Sequence, residues 1–277
     1  DGPFDDVWVQ PAPSDAGGSL GAALWAAHAL AGHPRPAPAG DGMSGALLGP
    51  SYESEEIGRW LDETGVAAVQ ISDRAELSRH VAGRIAEGAV VGWFQGRMEF
   101  GPRALGSRSI LGDPRDPTLV QRINMAVKGR EGFRPFAPAV MAERCDEWFD
   151  LPAPSSYMLF TGGVLGSRPE EPEPGDTFAA RLNRPRSPLP ACTHVDGSAR
   201  IQTVGAADHP AFHQLLGAFD DLAGVPVLLN TSFNVRDEPI VRTPADAYRC
   251  FRRAGLDLLV LEDRVIERGS PDGGATC

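Results

Sequence analysis

The chain has 277 residues, 42% of them hydrophobic, and a formal net charge of -11. Such a chain can bury the core of one large domain or two smaller ones, and its acidic balance argues against broad binding to nucleic acid or anionic membranes. It has no apolar run of the roughly 18 to 20 residues that a membrane span needs and no signal-peptide pattern, so we expect a cytoplasmic protein. Its four cysteines form no Cys-x-x-Cys pair, which predicts neither a zinc ribbon nor a disulfide framework.

The amino-terminal segment predicts a short strand at residues 7–9, a Pro/Ser/Asp turn, and a helix from about Gly18 to Leu30. The turn places Asp15 and the amides of Gly17 and Gly18 at the start of this helix, where phosphate or a metal can bind. The Pro/Gly-rich linker "HPRPAPAGDG" follows at residues 33–42. The segment before the linker is too short to form a domain by itself.

The rest of the chain alternates between helical and strand patterns, which predicts an α/β fold with a mixed sheet. Helices are predicted in "SYESEEIGRWLDETGV", ending at Gly65, and in "SDRAELSRHVAGRIAEG", before a strand in "AVVGWF". The proline-rich stretch 151–190 contains a predicted strand, "YMLF", and a predicted mobile loop, "GSRPEEPEPGDTF". Strand "ARIQTV", helix "HPAFHQLLGAFDDLAG", strand "PVLLNTSF", helix "TPADAYRCFRRAG" and strand "LDLLVLEDRVIER" complete the chain.

Positive charge is concentrated between Trp93 and Arg134, a segment that contains seven arginines and one lysine but only four acidic residues. Arginines spaced through the glycine-rich run "GWFQGRMEFGPRALGSRSILGDPR" predict a site for an anion. The alternative is that some of them, namely Arg108, Arg115 and Arg122, are simply solvated. Lys128 is the only lysine in the chain, and by itself it could be an ordinary surface residue.

Two short motifs give this region a more specific interpretation. Lys128 and Arg130 stand two residues apart, so on an extended segment both point to the same side. Ser232 and Asn234 follow an apolar strand and share a face, where they offer hydroxyl and amide groups beyond a strand end. Together the four residues predict a pocket for phosphates, although each pair alone is also a common surface or turn pattern.

Four segments, in this order, resemble the C-terminal domain of the NodU/CmcH carbamoyltransferases, which include tobramycin-type O-carbamoyltransferases. These segments are "GWFQGRMEFGPRALGSRSILGDPR", "VKGREGFRPFAP", "HVDGSARIQTV" and "PVLLNTSFNVRDEPIVRTPADA". The Lys-x-Arg and Ser-x-Asn signatures are similar to those of the YrdC fold. The resemblance implies a YrdC-like mixed twisted sheet with flanking helices in residues 48–277. Residues 1–47 look like the end of an actin-like (ASKHA) carbamoyl-transfer domain and its linker.

The resemblance also implies a reaction and its residues. Carbamoyl phosphate and ATP, with Mg²⁺, would form carbamoyl adenylate, and a natural-product hydroxyl would then receive the carbamoyl group, as in antibiotic biosynthesis. The implied catalytic residues are Lys128, Arg130, Arg103 and His194, and the implied ligand-binding residues are Arg134, Arg200, Ser232, Asn234, Asn230, Gly17 and Gly18. His194 is also readable as a buried hydrogen-bonding residue at a strand start.

The resemblance makes Asp15 an iron ligand only if a missing actin-like half supplies two histidines. The Asp15 site is thus incomplete in this chain. His209 and His213 form the only His-x-x-x-His pair, and we interpret them as partly exposed residues of a helix capped by Asp208. A partner chain or a longer precursor carrying the remaining actin-like domain is therefore expected.

Two departures from the family pattern and two alternative functions stay open. Ser107 stands where the family usually has Asn, and Asp237 stands where it usually has a Gly that permits positive φ.

One alternative function is that of a threonylcarbamoyl-adenylate synthase acting in tRNA modification, which the "GPRALG" and "HVDGSARIQTV" blocks disfavour. The other is a remnant that binds nucleotide or a partner chain without catalysis.

Overall fold

The computed structural model describes residues 9–13, 15–35, 40–168, 175–177 and 184–269. The α-helices of this part are α1 (Asp15–Trp25), α2 (Ser54–Thr64), α3 (Arg74–Ala86), α4 (Pro117–Ile123), α5 (Pro210–Ala223) and α6 (Pro244–Ala254). Its strands are β1 (Val69–Gln70), β2 (Val91–Phe94), β3 (Arg108–Gly112), β4 (Ala137–Met141), β5 (Phe149–Asp150), β6 (Thr161–Val164), β7 (Ser198–Arg200), β8 (Gln202–Val204), β9 (Val227–Ser232), β10 (Leu258–Leu261) and β11 (Arg264–Glu267).

The strands form one large mixed sheet and one small antiparallel sheet. The large sheet has the order β1-β11-β10-β2-β3-β9-β4-β8, and the small sheet has the order β5-β6-β7. In the large sheet β10 runs parallel to β2 and β4 runs parallel to β8, whereas the other pairs are antiparallel. The expected mixed α/β fold is thus confirmed.

Helices cover both faces of the large sheet, which explains why β2, β3 and β10 are buried along their whole length. Trp93 of β2 belongs to the core cluster that includes α3 and α5, and the next residue, Phe94, belongs to the cluster that includes α2, α4 and α6. Leu111 and Ile110 of β3 divide between the two clusters in the same way. This alternation is the period of two that a strand imposes on its side chains.

Local signals set the ends of several helices where the sequence predicts them. Helix α2 ends at Gly65, which takes a left-handed φ of 68°. Helix α3 begins after Asp73, whose side chain accepts a hydrogen bond from the Glu76 amide. Helix α6 begins with a reciprocal capping box between Thr243 and Asp246.

Three strand predictions differ from the structure. The segment "YMLF" is a turn, because Met158 has a φ of 55° and Ser155 Oγ accepts from the Leu159 and Phe160 amides, so the strand begins only at Thr161. The segment "LDLLVLEDRVIER" is a hairpin of β10 and β11, since Glu262 turns the chain with a φ of 51°. The segment "ARIQTV" contributes β7 to the small sheet and β8 to the large one, with Ile201 between them.

The amino-terminal segment also differs in detail. Helix α1 begins at Asp15 rather than at Gly18, and it continues as a π-helical turn over Ala26–Leu30. The strand expected at residues 7–9 lies outside the described residues except for Val9, which is not in a strand. The mobile loop expected in the proline-rich stretch also lies largely outside them. No helix of the described residues has the length and apolar character to cross a membrane.

Candidate anion-binding site

A cavity of about 600 Å³ lies between the two sheets, beside the ends of β7 and β9 and the start of β4. It collects most of the basic and polar residues that the sequence analysis singled out. These are Arg103, Arg130, Arg134, His194, Arg200, Asn230 and Ser232. The change of sheet between β7 and β8 holds Arg200 at this cavity, and the loop that leads into β4 supplies Arg130 and Arg134.

Arg200 is a half-buried cation without a carboxylate partner among the described residues. Its Nη2 lies 3.6 Å from Met158 Sδ, and its buried Nε has no hydrogen-bond partner. Burial, together with the positive charges of Arg103 and Arg130, lowers the pKa of Arg200 to about 10. A cluster of mutually repelling guanidinium groups is favourable only when an anion neutralises it.

Arg130 and Arg134 stand on the loop before β4 in different environments. Arg130 donates from Nε to Asn124 Oδ1 at 2.6 Å, and its guanidinium lies 5.1 Å from the centre of the Phe136 ring. Burial and the neighbouring Arg134 lower the pKa of Arg130. Arg134 is more exposed and lies 3.8 Å from Glu131. The Asn124 and Phe136 contacts orient the Arg130 fork, and neither residue was among the predicted site residues.

Lys128 lies behind the cavity wall rather than in it. Its Nζ donates to Ser232 O (2.6 Å) and Oγ (3.1 Å) and to Asn234 O (3.0 Å) and Oδ1 (2.7 Å). The predicted association of Lys128 with Ser232 and Asn234 is present in the structure. The expected extended geometry is wrong, because Lys128 ends a π-helical turn and Gly129 follows with a φ of 51°.

The four oxygen contacts of Lys128 give the ammonium a positioning role. They hold Ser232, the last residue of β9, together with Asn234, and Ser232 Oγ also donates to Asn234 Oδ1 at 2.7 Å. Burial lowers the pKa of Lys128 to about 8, and Arg130 acts in the same direction. In this structure the Lys128 side chain supports the cavity floor, and its three N–H donors already face protein oxygens.

His194 stands between this cavity and a neighbouring one of about 360 Å³. Its Nδ1 lies 2.9 Å from Ser198 Oγ, and Ser198 in turn donates to Asp196. Burial lowers the pKa of His194, while Asp196 opposes this shift. The imidazole is therefore largely neutral at pH 7 and can accept or donate one proton at the boundary of the two cavities.

Arg108 is a structural residue, and the alternative of a solvated side chain is wrong for it. It is fully buried, and its two terminal nitrogens donate to the carbonyls of Gln95, Ser107, Pro50 and Gly96 at 3.0 to 3.2 Å. Its guanidinium lies 3.5 Å from the centre of the Phe94 ring. Arg115 and Arg122 are partly exposed and pair with Asp113 and Asp257, respectively.

Glu99 organises the loop that carries Arg103. Its Oε1 accepts hydrogen bonds from the backbone amides of Leu105, Ser107 and Arg108 at 2.6 to 3.1 Å. Three amide donors on one carboxylate oxygen hold residues 99–108 as a compact turn beside the cavity. Ser107, one of the two departures from the family pattern, is buried in this turn, so the smaller side chain is accommodated there.

The residues predicted on α1 are not brought to this cavity. Asp15, Gly17 and Gly18 belong to the first turns of α1, and none of them lines either cavity. Within the described residues no three His, Cys, Asp or Glu side chains form a group that could hold a metal. The ligand-binding roles of these three residues therefore stay predictions, and they depend on atoms outside this cavity.

His209 and His213 make separate contacts, and only His213 lies within helix α5, so the expectation of two helix residues is wrong for His209. His209 Nε2 lies 3.4 Å from Ser107 Oγ, and His213 Nε2 lies 2.7 Å from Glu143 Oε1. The expected cap by Asp208 is wrong, because His209 itself precedes the helix and makes no side-chain cap. Pro210 at the first helical position starts α5 instead.

Comparison with known proteins identifies the family. The model of the carbamoyltransferase C-terminus family matches residues 82–268. The chain is 51% identical to the uncharacterized protein sll1178 of Synechocystis sp. over 97% of this chain and 44% of that protein. It is 42% identical to nodulation protein NolO of Bradyrhizobium diazoefficiens over 96% of this chain and 45% of that protein.

A further relative carries a chemical name. The 3'-hydroxymethylcephem-O-carbamoyltransferase of Amycolatopsis lactamdurans is 33% identical over 96% of this chain and 45% of that enzyme. Full-length HypF, crystallised with phosphate and nucleotide, aligns with a TM-score of 0.43 and 17% identity over 68% of this chain and 25% of that chain. The chain thus belongs to the carbamoyltransferase family, as its motifs indicate. It spans less than half the length of these curated relatives.

Proposed function

We propose that this chain is the adenylate-forming part of an O-carbamoyltransferase. In this proposal it converts carbamoyl phosphate and ATP to carbamoyl adenylate, and the carbamoyl group is then transferred to a hydroxyl of a natural-product acceptor. Membership of the carbamoyltransferase family and the cephem O-carbamoyltransferase relative support the transfer of a carbamoyl group to oxygen. The arginine-lined cavity supports the handling of phosphorylated substrates.

The proposed reaction has two steps. Water first cleaves carbamoyl phosphate to carbamate and inorganic phosphate. A carbamate oxygen then attacks the α-phosphorus of ATP, the bond from that phosphorus to the bridging oxygen breaks, and pyrophosphate leaves. Apart from water, every species in both steps is anionic, so the protein can assist mainly by positioning and electrostatic stabilisation.

The environment of Arg200 is the main observation in support of this proposal. A half-buried guanidinium with an unpartnered Nε, and with Arg103 and Arg130 close enough to lower its pKa, offers charged donors to a ligand. Ser232 Oγ, held by Lys128, adds a neutral group at the same cavity. Phosphate and carbamate oxygens are the acceptors that such an arrangement binds most strongly.

The direct test is pyrophosphate release from ATP and Mg²⁺ with and without carbamoyl phosphate. We expect release that requires carbamoyl phosphate and falls about 10- to 100-fold in kcat/KM for Arg200→Gln, because charge-assisted hydrogen bonds contribute about 1.5 to 3 kcal/mol. Arg59→Gln is the matched control, since Arg59 is exposed on α2 and lines neither cavity. Nucleotide binding without carbamoyl phosphate-dependent release would instead favour the non-catalytic remnant.

In this proposal the metal is Mg²⁺, and it binds together with the substrate. The described residues offer no cluster of carboxylates for Mg²⁺, and Mg²⁺ commonly binds through substrate phosphates and water. Asp15 alone does not fit an iron site, so we derive no step through iron. An iron site would require ligands from outside the described residues.

Helix α1 supports the proposal that a partner chain, or a further part of a longer protein, completes the enzyme. None of its residues is buried, and Leu24, Trp25 and Leu30 along α1 and the following turn are 49%, 60% and 69% exposed. An apolar helix of this kind is typical of a surface that another polypeptide covers. Co-purification of the chain with a separately expressed actin-like half would test this, and Trp25→Glu should weaken the association.

A further inference from the structure

Asn230, a buried side-chain amide in the cavity wall, is hydrogen-bonded to a second buried amide, Gln202, and has one unused acceptor. Asn230 of β9 and Gln202 of β8 are 1% and 2% exposed. Asn230 Nδ2 donates to Ala104 O at 3.1 Å and to Gln202 Oε1 at 2.8 Å. Gln202 Nε2 donates to Leu105 O at 2.6 Å.

These contacts determine which way both amides face. Leu105 O is a backbone carbonyl and can only accept, so the nitrogen of the Gln202 amide must face it. Gln202 Oε1 then accepts from Asn230 Nδ2, whose other N–H meets the Ala104 carbonyl. Rotating either amide by half a turn would place oxygen against oxygen. Asn230 Oδ1 is thereby left as a buried acceptor without a partner among the described residues.

An unpartnered acceptor is unusual in a cavity whose charged groups are cations. Arg103, Arg130, Arg134 and Arg200 can only donate hydrogen bonds, so they select the oxygens of an anion. Asn230 Oδ1 can only accept, so it selects an N–H or O–H group on the same ligand. A ligand that matches both features is anionic at one end and carries a neutral hydrogen-bond donor at the other.

We propose that Asn230 is the specificity residue for the carbamoyl group, and that its Oδ1 accepts a hydrogen bond from the carbamoyl NH₂. The inference rests on the proposed function for the identity of the ligand. It goes further by assigning the choice of carbamoyl over other acyl phosphates to one atom. Gln202 is the positioning residue, since its amide holds Asn230 Nδ2 away from the ligand.

Acetyl phosphate is the matched probe, because it has a methyl group where carbamoyl phosphate has NH₂. A site built to hydrogen-bond an N–H group discriminates strongly against an analogue that lacks it. We expect the full chain to bind carbamoyl phosphate at least 10-fold more tightly than acetyl phosphate. The measurement is equilibrium binding of each compound in the absence of ATP, which does not depend on turnover.

Two variants of Asn230 make the test specific. Asn230→Leu removes the acceptor at similar size and should reduce the affinity ratio to about one, with most of the loss on carbamoyl phosphate. Asn230→Asp keeps the acceptor oxygen but sets its second oxygen against Ala104 O and Gln202 Oε1, so both affinities should fall while the ratio is retained. Arg200→Gln should weaken both compounds alike, since both carry the phosphate, and Arg59→Gln should change neither.

The outcomes separate this inference from the proposed function. Equal affinities in the wild-type chain would overturn the role of Asn230, even if pyrophosphate is released. Equal losses for both compounds in Asn230→Leu would show a merely structural role and would also overturn it. A high ratio that collapses in Asn230→Leu supports the inference, even if no pyrophosphate is released and the proposed reaction fails. If Asn230→Leu does not fold, Asn230→Ala takes its place as the variant without the acceptor, and the same collapse of the ratio is expected.

Discussion

Lys128 illustrates how tertiary contacts determine the role of a single residue. Its ammonium is buried, and burial lowers its pKa from an ordinary value of 10.5 to about 8. The folded chain therefore binds fewer protons than the unfolded chain between about pH 8 and pH 10.5. Stability must rise with pH in that window, because the unfolded state gives up the proton that the folded state has already lost.

A comparison with Lys128→Met tests this. The free energy of unfolding of the wild type, relative to Lys128→Met, should increase by about 1.4 kcal/mol per pH unit between pH 8 and pH 10. Urea denaturation at several pH values measures it, and taking the difference cancels the titration of other groups. A difference that stays constant with pH would mean that Lys128 keeps an ordinary pKa.

Asp237, the other departure from the family pattern, takes a backbone conformation that glycine would permit. The residue has a φ of 61°, in the left-handed region that a glycine at this position would favour. Aspartate tolerates this region better than most residues, and its exposed carboxylate lies 3.3 Å from Arg236 Nε. The turn is therefore formed at the cost of some backbone strain.

Replacing Asp237 by glycine should relieve that strain. We expect Asp237→Gly to raise the free energy of unfolding by about 0.5 to 1 kcal/mol, measured by urea denaturation. Asp221→Gly is the control, because Asp221 is exposed within α5 and glycine in a helix is about 0.3 kcal/mol less favourable than aspartate. Replacement by glycine should thus raise the free energy of unfolding at position 237 and lower it at position 221. A lower free energy of unfolding in both variants would contradict the prediction.

At the scale of elements, the turn over residues 99–108 is the piece of backbone on which the site depends. Gly106 within it has a φ of 109°, and a Cβ added there would collide with the Phe212 ring of α5. The turn can approach α5 this closely only because residue 106 lacks a side chain. The same turn presents Arg103 to the cavity.

Gly106→Ala should accordingly destabilise the protein by about 2 to 3 kcal/mol, since both the steric clash and the positive φ oppose it. Pyrophosphate release should fall as well, because Arg103 and the Ala104 carbonyl move with the turn. Gly83→Ala is the matched control. Gly83 lies within α3 with open space around it, and alanine there should stabilise the protein by about 0.5 to 1 kcal/mol. Thermal and urea unfolding of both variants measure these changes. A Gly106→Ala variant that is not destabilised, or a Gly83→Ala variant that is, would contradict the prediction.

At the scale of the whole molecule, local and net charge have opposite signs. The chain has a net charge of -11, yet the cavity carries four arginines. Salt screens both fields. If the cavity arginines attract the anion, added salt lowers the affinity. If the net negative charge of the protein repels it, added salt raises the affinity. The salt dependence of anion binding therefore reports which field the ligand experiences.

We expect the affinity for pyrophosphate to fall several-fold between 50 and 500 mM NaCl, as measured by titration calorimetry. Arg200→Gln should reduce this salt dependence, because one of the attracting charges is gone. An affinity that rises with salt would indicate that the net charge dominates and that the cavity is not the binding site.

Local signals in the sequence were enough for much of the fold. The helices with caps and amphipathic spacing, such as α2, α3 and α6, form where predicted, because capping and periodicity act within a few residues. The strand "YMLF" failed because Ser155 satisfies its amides in a turn. The long strand predicted at the carboxyl end failed because Glu262 turns the chain there.

The sequence alone determined the family, the mixed α/β class and the set of basic residues, because motifs and hydrophobic periodicity are carried by the order of residues. Only the tertiary structure decided which arginines line the cavity. Arg200 lies in the cavity, whereas Arg108 lies in the core, although both belong to family motifs. It also oriented the Asn230 amide through contacts with Ala104 and Gln202, which are far away in the chain. Partners such as these are set by packing between distant segments, which residue order does not display.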